Sequence, residues 1–177
     1  MVKKLKNKLK NKKGIGSLEI VISALIVIMM VAGLIDMIQI TQRLDTTSQA
    51  TGYVARVVQK QGGVQPHEID NFSGKYVPTS VLYGNVRDMM DVNGIPEEDW
   101  TLKLTAGGNT YTINEGTALP LVDYGHRIKV TIETKFKWHI LSSMMPGDLG
   151  SGSSSSREVL SGYQVRDGGG MNTDLEL

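Results

Sequence analysis

From Ile20 to Ile35 the chain runs sixteen residues without a charge, Ile-Val-Ile-Ser-Ala-Leu-Ile-Val-Ile-Met-Met-Val-Ala-Gly-Leu-Ile, and after Asp36 the apolar character resumes with Met37, Ile38 and Ile40. As a helix rising about 1.5 Å per residue, Ile20 to Ile40 covers about 30 Å, one bilayer core. The pattern then changes. Ile40, Leu44, Thr47, Thr51, Val54 and Val58 recur at spacings of three and four, with Gln42, Arg43, Asp45, Gln49, Arg56 and Gln59 on the other faces. No proline interrupts before Pro66, and Gly62-Gly63 is a stop signal. The spacing predicts one helix from about Ser17 to Gln61, a rod of about 65–70 Å. Its first half is apolar all round and its second half amphipathic.

Further on, the periods are those of a mixed head. Val81, Leu82, Val86, Met89 and Met90 form a stripe that predicts a short helix over Ser80–Asn93, capped by Thr79 or Ser80 and stopped by Gly94 before Pro96. Trp100–Thr105 and Thr110–Asn114 flank Ala106 to Asn109 and read as a β-hairpin. The most regular alternation is Arg127–Ile140: Ile128, Val130, Ile132, Phe136, Trp138 and Ile140 fall on one face, and Arg127, Lys129, Glu133, Lys135, Lys137 and His139 on the other. Its apolar face is suited to cover the Leu44–Val58 stripe, and Glu158–Arg166 is its expected antiparallel partner. Pro146 to Ser156 reads as a flexible loop by composition, and residues 167–177 as a disordered tail. The expected fold class is α+β, a long N-terminal helix packed on a small antiparallel sheet. Its expected divisions are a leader over 1–14, the helix over 15–62 with a membrane span at about 20–40, the head over 63–166 and the tail.

Charge gives the helix a direction. The net charge of +1 over 177 residues averages two unlike parts: residues 1–14 hold seven lysines and no acid, while residues 15–177 carry 12 basic and 18 acidic side chains, net −6. With Arg43 the nearest cation beyond the span, the positive-inside bias predicts a cytoplasmic N-terminus and a head outside the membrane. A secretory signal peptide fits poorly. The run is long for one, Glu19 opens it, and Asp36, Gln39 and Gln42 stand where a small-residue cleavage site belongs. A signal-anchored surface protein, whose extracellular head binds a ligand or partner without polymerising, fits better.

The junction Lys12-Lys13-Gly14-Ile15-Gly16-Ser17-Leu18-Glu19 is more specific. Over roughly residues 8–60 it resembles the leader and helix of type IV pilins and pseudopilins, in which a basic leader ends in glycine, cleavage follows, and a glutamate is fifth in the mature chain. Gly14 matches the cleavage glycine, Ile15 the new N-terminus and Glu19 the fifth-position glutamate. The resemblance implies processing by a prepilin peptidase, pairing of Glu19 with the often N-methylated terminus of a neighbouring subunit, and growth into a filament or pseudopilus with other pilin subunits and the assembly machinery. The plainer role for Glu19 is an interfacial carboxylate that snorkels into water. Asp36 reads as an interfacial residue marking the far edge of the span. The mature start lacks phenylalanine, no proline kinks the span and the chain has no cysteine. These departures resemble minor, Tad-type (TadE-like) or Gram-positive pilin-like proteins more than a Gram-negative major pilin.

Other candidate chemistry is sparse. The absence of cysteine excludes disulfides, cysteine zinc sites and thiol nucleophiles. His67, His126 and His139 lack ligand-type spacing, so neither a metal or other cofactor nor an enzyme is expected, and a histidine-based hydrolase ranks last. An EF-hand reading of Asp91-Val92-Asn93-Gly94 fails because Met89 stands at the first ligand position. Gly107-Gly108 reads as a turn and the serines at 153–156 as linker. Lys129, Lys135, Lys137 and Arg127 offer DNA or another anionic surface a contact, though with Glu133 among them a solvated strand face is the simpler account.

Overall fold

The computed structural model describes residues 12–67, 72, 75–138, 140 and 150–163. Helix α1 spans Lys12–Gln61 without a break and α2 spans Thr79–Val92; strands β1 (Trp100–Ala106), β2 (Asn109–Ile113), β3 (Arg127–Lys137) and β4 (Gly150–Leu160) form an antiparallel sheet in the order β2-β1-β3-β4. The fold is thus α+β, with a long apolar N-terminal helix and a small sheet. Most of the predicted leader, residues 1–11, and the whole predicted tail lie outside the described residues.

The chain divides into two compact units. One takes Met1–Gln39 with Lys137–Leu149, the other Ile40–Phe136 with Gly150–Leu177. In the first unit, α1 exposes apolar side chains on nearly every side: Leu18, Ile20, Val21, Leu25, Ile26, Val27, Met30, Leu34, Met37 and Ile38 are all more than half exposed. The helix is long and apolar enough to cross a membrane.

In the second unit the helix has a buried stripe, Thr47, Ala50, Thr51, Val54, Ala55, Val58 and Gln61. Leu44, expected in it, is 39% exposed. The buried threonines stay satisfied inside the helix, Thr47 Oγ1 donating to Arg43 C=O at 2.8 Å and Thr51 Oγ1 to Thr47 C=O at 2.7 Å. This stripe shares one core with Leu82, Val86 and Met90 of α2 and with Leu102, Leu104, Ile128, Val130 and Ile132 of the sheet. The register explains the layering: Leu102 faces Ile132 and Leu104 faces Val130 across β1 and β3, so period-2 alternation puts both apolar sets on one face.

Several local expectations are corrected. The cap of α2 is Pro78, in extended conformation and without a side-chain bond; Thr79 is inside the helix, fully buried, and its N–H goes to Gln65 C=O at 2.9 Å, which satisfies one of the unpaired donors of the first turn. Val81 points outward and Tyr83 inward. The hairpin is tighter than predicted: Ala106 pairs with Asn109, leaving the two-residue loop Gly107-Gly108, both at positive φ (55° and 81°), as a twisted hairpin requires. Strand β3 stops at Lys137, so Trp138 and Ile140 are not strand residues, and Thr134 occupies an inner position instead.

The largest correction is β4. The Gly-Ser run expected to be loop is strand from Gly150 onward, and the expected partner strand Glu158–Arg166 shifts back to Gly150–Leu160. Residues 146–149 and 164–166 lie outside the described residues. Thr131 meets Ser156 (3.3 Å) and Thr134 meets Ser153 (3.5 Å), contacts that descend one strand as they climb the other. An edge strand supplied with backbone partners by a regular neighbour needs little β-propensity of its own, which is why composition misled.

Candidate assembly and membrane-contact site

Gly14, Ile15 and Glu19 all lie within the first turns of α1. Gly14 and Gly16 together make this the weakest stretch of the helix, since each glycine costs about 0.5–1 kcal/mol relative to alanine there. Glu19 is exposed, and among the described residues it has no hydrogen bond or ion pair. It stands one residue before the uncharged run, so its carboxylate is presented at the rim of the apolar surface. That is the geometry of a group able to accept a cation from outside the chain, or to reach water.

Asp36 is different. It is only 2% exposed although Leu34, Ile35, Met37 and Ile38 around it are open. Both of its carboxylate oxygens lie 3.1 Å from the backbone N–H of Ile140, which donates to them. Ala32, one turn earlier on the same side, is also buried. The sequence marks Asp36 as the edge of the span. What sequence reasoning missed is that the edge residue holds a distant stretch of chain, and the signal available was the lone acid among apolar residues.

The other candidates are not brought together. His67 and His126 are exposed, and His139 lies outside the described residues. No group of three metal-ligating side chains occurs among the described residues. The cations of β3 are partly matched: Lys103 on β1 binds Glu133 at 2.7 Å, and Arg127 binds Glu158 of β4 at 3.0 Å. The acidic stretch after α2 is explained by local structure. Gly94 (φ 68°) ends the helix, its N–H returning to Asp91 C=O at 2.9 Å, and Glu97 accepts the Tyr83 hydroxyl at 2.8 Å. Burial, then the hydrogen bond to Glu97, pushes the Tyr83 phenol up to about 12.

An open groove of about 610 Å³ is lined by residues that include Gly52, Ala55, Arg56, Gln59, Arg157 and Glu158. Gly52 lets the Arg157 guanidinium lie against the helix, since a Cβ there would sit 3.3 Å from Arg157 Cζ. No protein-family model, curated protein or solved structure matches the chain.

Proposed function

We propose that this protein is a pilin-like structural subunit of a type IV filament or a related pseudopilus or secretion apparatus. In this reading the precursor crosses the membrane once through about residues 20–40, with its N-terminus in the cytoplasm and its head outside. A prepilin peptidase cleaves after Gly14. The subunit then leaves the bilayer and packs by its helix, the new terminal amine of one subunit meeting Glu19 of the next. A carboxylate at depth in hydrocarbon costs about 2.5–3.5 kcal/mol, so a cation that neutralises it favours the assembled position.

The observation that carries this reading is the unbroken helix Lys12–Gln61, whose first part leaves its apolar side chains uncovered while its second part belongs to the core of an α+β head. Exposed apolar surface of that extent needs lipid or other subunits around it. Glu19 at its rim, whose carboxylate has no partner among the described residues, supplies a charge to be met in trans.

Co-expression with a prepilin peptidase tests it. The wild-type chain is expected to lose the mass of residues 1–14, and Gly14→Ala to stay whole. Glu19→Gln is expected to be cleaved normally yet to yield far fewer sedimentable filaments. An uncleaved wild-type chain would sink the proposal and favour a surface protein held by an uncleaved signal anchor.

A further inference from the structure

We infer that Asp36 clips the chain just beyond β3 to the helix, and that Trp138 there forms a second membrane contact, in the headgroup–acyl boundary of the outer leaflet. The inference rests on the reading of α1 as a single span.

Depth comes first. Asp36 lies sixteen residues after Ile20, about 24 Å along a span of about 30 Å, inside the outer fringe of the hydrocarbon. A carboxylate there is costly unless it is hydrogen-bonded, and the structure shows the donor: the Ile140 N–H reaches both oxygens at 3.1 Å. That contact fixes the Ile140 backbone at the level of Asp36. Trp138 is two residues away, within about 7 Å along the chain.

Chemistry comes second. Trp138 has left the sheet, is half-buried, and follows Lys135 and Lys137, both exposed. A tryptophan with lysines just before it in sequence is the composition of an interfacial belt, in which the indole rests at the headgroups. The occupant we assign is lipid because Asp36, to which the Ile140 backbone is bonded, sits in sequence among Leu34, Ile35, Met37 and Ile38, whose side chains are exposed within the proposed span.

The experiment uses the full chain in vesicles of phosphatidylcholine with a minor share of phosphatidylglycerol, carrying bromine near the glycerol end of the acyl chains. Flotation reports insertion, and tryptophan fluorescence reports contact. The second tryptophan, Trp100, is 5% exposed in the head core and serves as the unquenched reference. Shallow bromolipid is expected to quench wild type. Quenching is expected to vanish in Trp138→Phe, to be lost in Asp36→Ala and to persist in Asp36→Asn, whose amide oxygen still accepts the Ile140 N–H. A chain that floats but is not quenched overturns the inference and leaves the span intact, as it would if Trp138 were reserved for a neighbouring subunit. Quenching of Asp36→Ala equal to wild type overturns the clip. A chain that does not float takes both readings down.

Discussion

The side-chain amide of Gln61 hydrogen-bonds to both backbone groups of Val77. Its Nε2 donates to Val77 C=O at 3.1 Å, and its Oε1 accepts the Val77 N–H at 2.9 Å. Gln61 is 2% exposed, so the last helical residue of α1 acts as a one-residue strand for the segment leading into α2. An amide is the side chain that offers a donor and an acceptor side by side. Gln61→Ala is therefore expected to lower head stability by about 1–3 kcal/mol, because it leaves two half-buried backbone groups without their partner. Gln61→Glu at neutral pH should be at least as damaging. Urea denaturation in detergent micelles, followed by far-UV circular dichroism, measures both; a loss below that of an ordinary surface change would refute the role.

Gly62 and Gly108 both sit at positive φ, 73° and 81°, yet they are expected to respond differently to alanine. A Cβ at Gly108 meets open space, so Gly108→Ala costs only the left-handed strain, about 1–2 kcal/mol. A Cβ at Gly62 would lie 2.9 Å from both Val122 C=O and Ser161 Oγ, against backbone already bonded to it, since Val122 N–H donates to Gly62 C=O at 2.7 Å. Gly62→Ala should cost at least about twice as much as Gly108→Ala, and equal losses in the same denaturation assay would show that the chain end around Ser161 is free to move aside.

Alkaline titration should reveal Tyr83. Its phenol keeps its proton in the folded state up to about 12, whereas an unfolded tyrosine ionises near 10. The raised value stabilises the fold fully below about pH 10, and the contribution is lost as pH rises from about 10 to 12, where the unfolded state holds fewer protons. The loss is at most about 2–3 kcal/mol, an upper figure because Glu97 faces solvent. Tyr76, also buried, is pushed the same way by its burial. Tyr83→Phe is expected to cost about 1 kcal/mol at neutral pH and to flatten the alkaline decline; thermal melts across this range decide it.

Gly152 in β4 is a site for gain. Its φ is not in the left-handed region, and the nearest contact of an added Cβ is Thr134 C=O at 3.6 Å, an ordinary distance. Gly152→Thr is expected to raise stability by about 0.5–1 kcal/mol by replacing the most flexible residue type with a strand former. A decrease in melting temperature would count against the strand assignment of the serine-rich segment.

These residues also show what the sequence revealed and what it hid. Apolar periodicity located α1, its end at Gly62, both hairpin strands and the inner face of β3, because in each the burial period is written in side-chain type. The strand status of residues 150–156 was hidden, since glycine and serine carry no burial pattern and the strand exists through its neighbour's backbone. Gln61 was hidden for a related reason: a polar residue on a helix reads as solvated until its backbone partners are known. The proposed roles of Gly14, Ile15 and Glu19 rest on their spacing in the sequence. The engagement of Asp36 with Ile140 joins positions too far apart for any local pattern to record.

The core also implies an order of events during synthesis. The stripe from Thr47 to Val58 leaves the ribosome long before Ile128, Val130 and Ile132, with which it shares its core. Until those strands are made, only α2 and the β1–β2 hairpin are available to cover the helix, and such late, non-local closure is slow and prone to aggregation. The apolar half of the helix emerges before that stripe. In the proposed reading, delivery of that half to a bilayer while the rest is still being translated keeps its apolar surface covered until the sheet arrives, so targeting precedes closure of the head core and the membrane acts as the first chaperone.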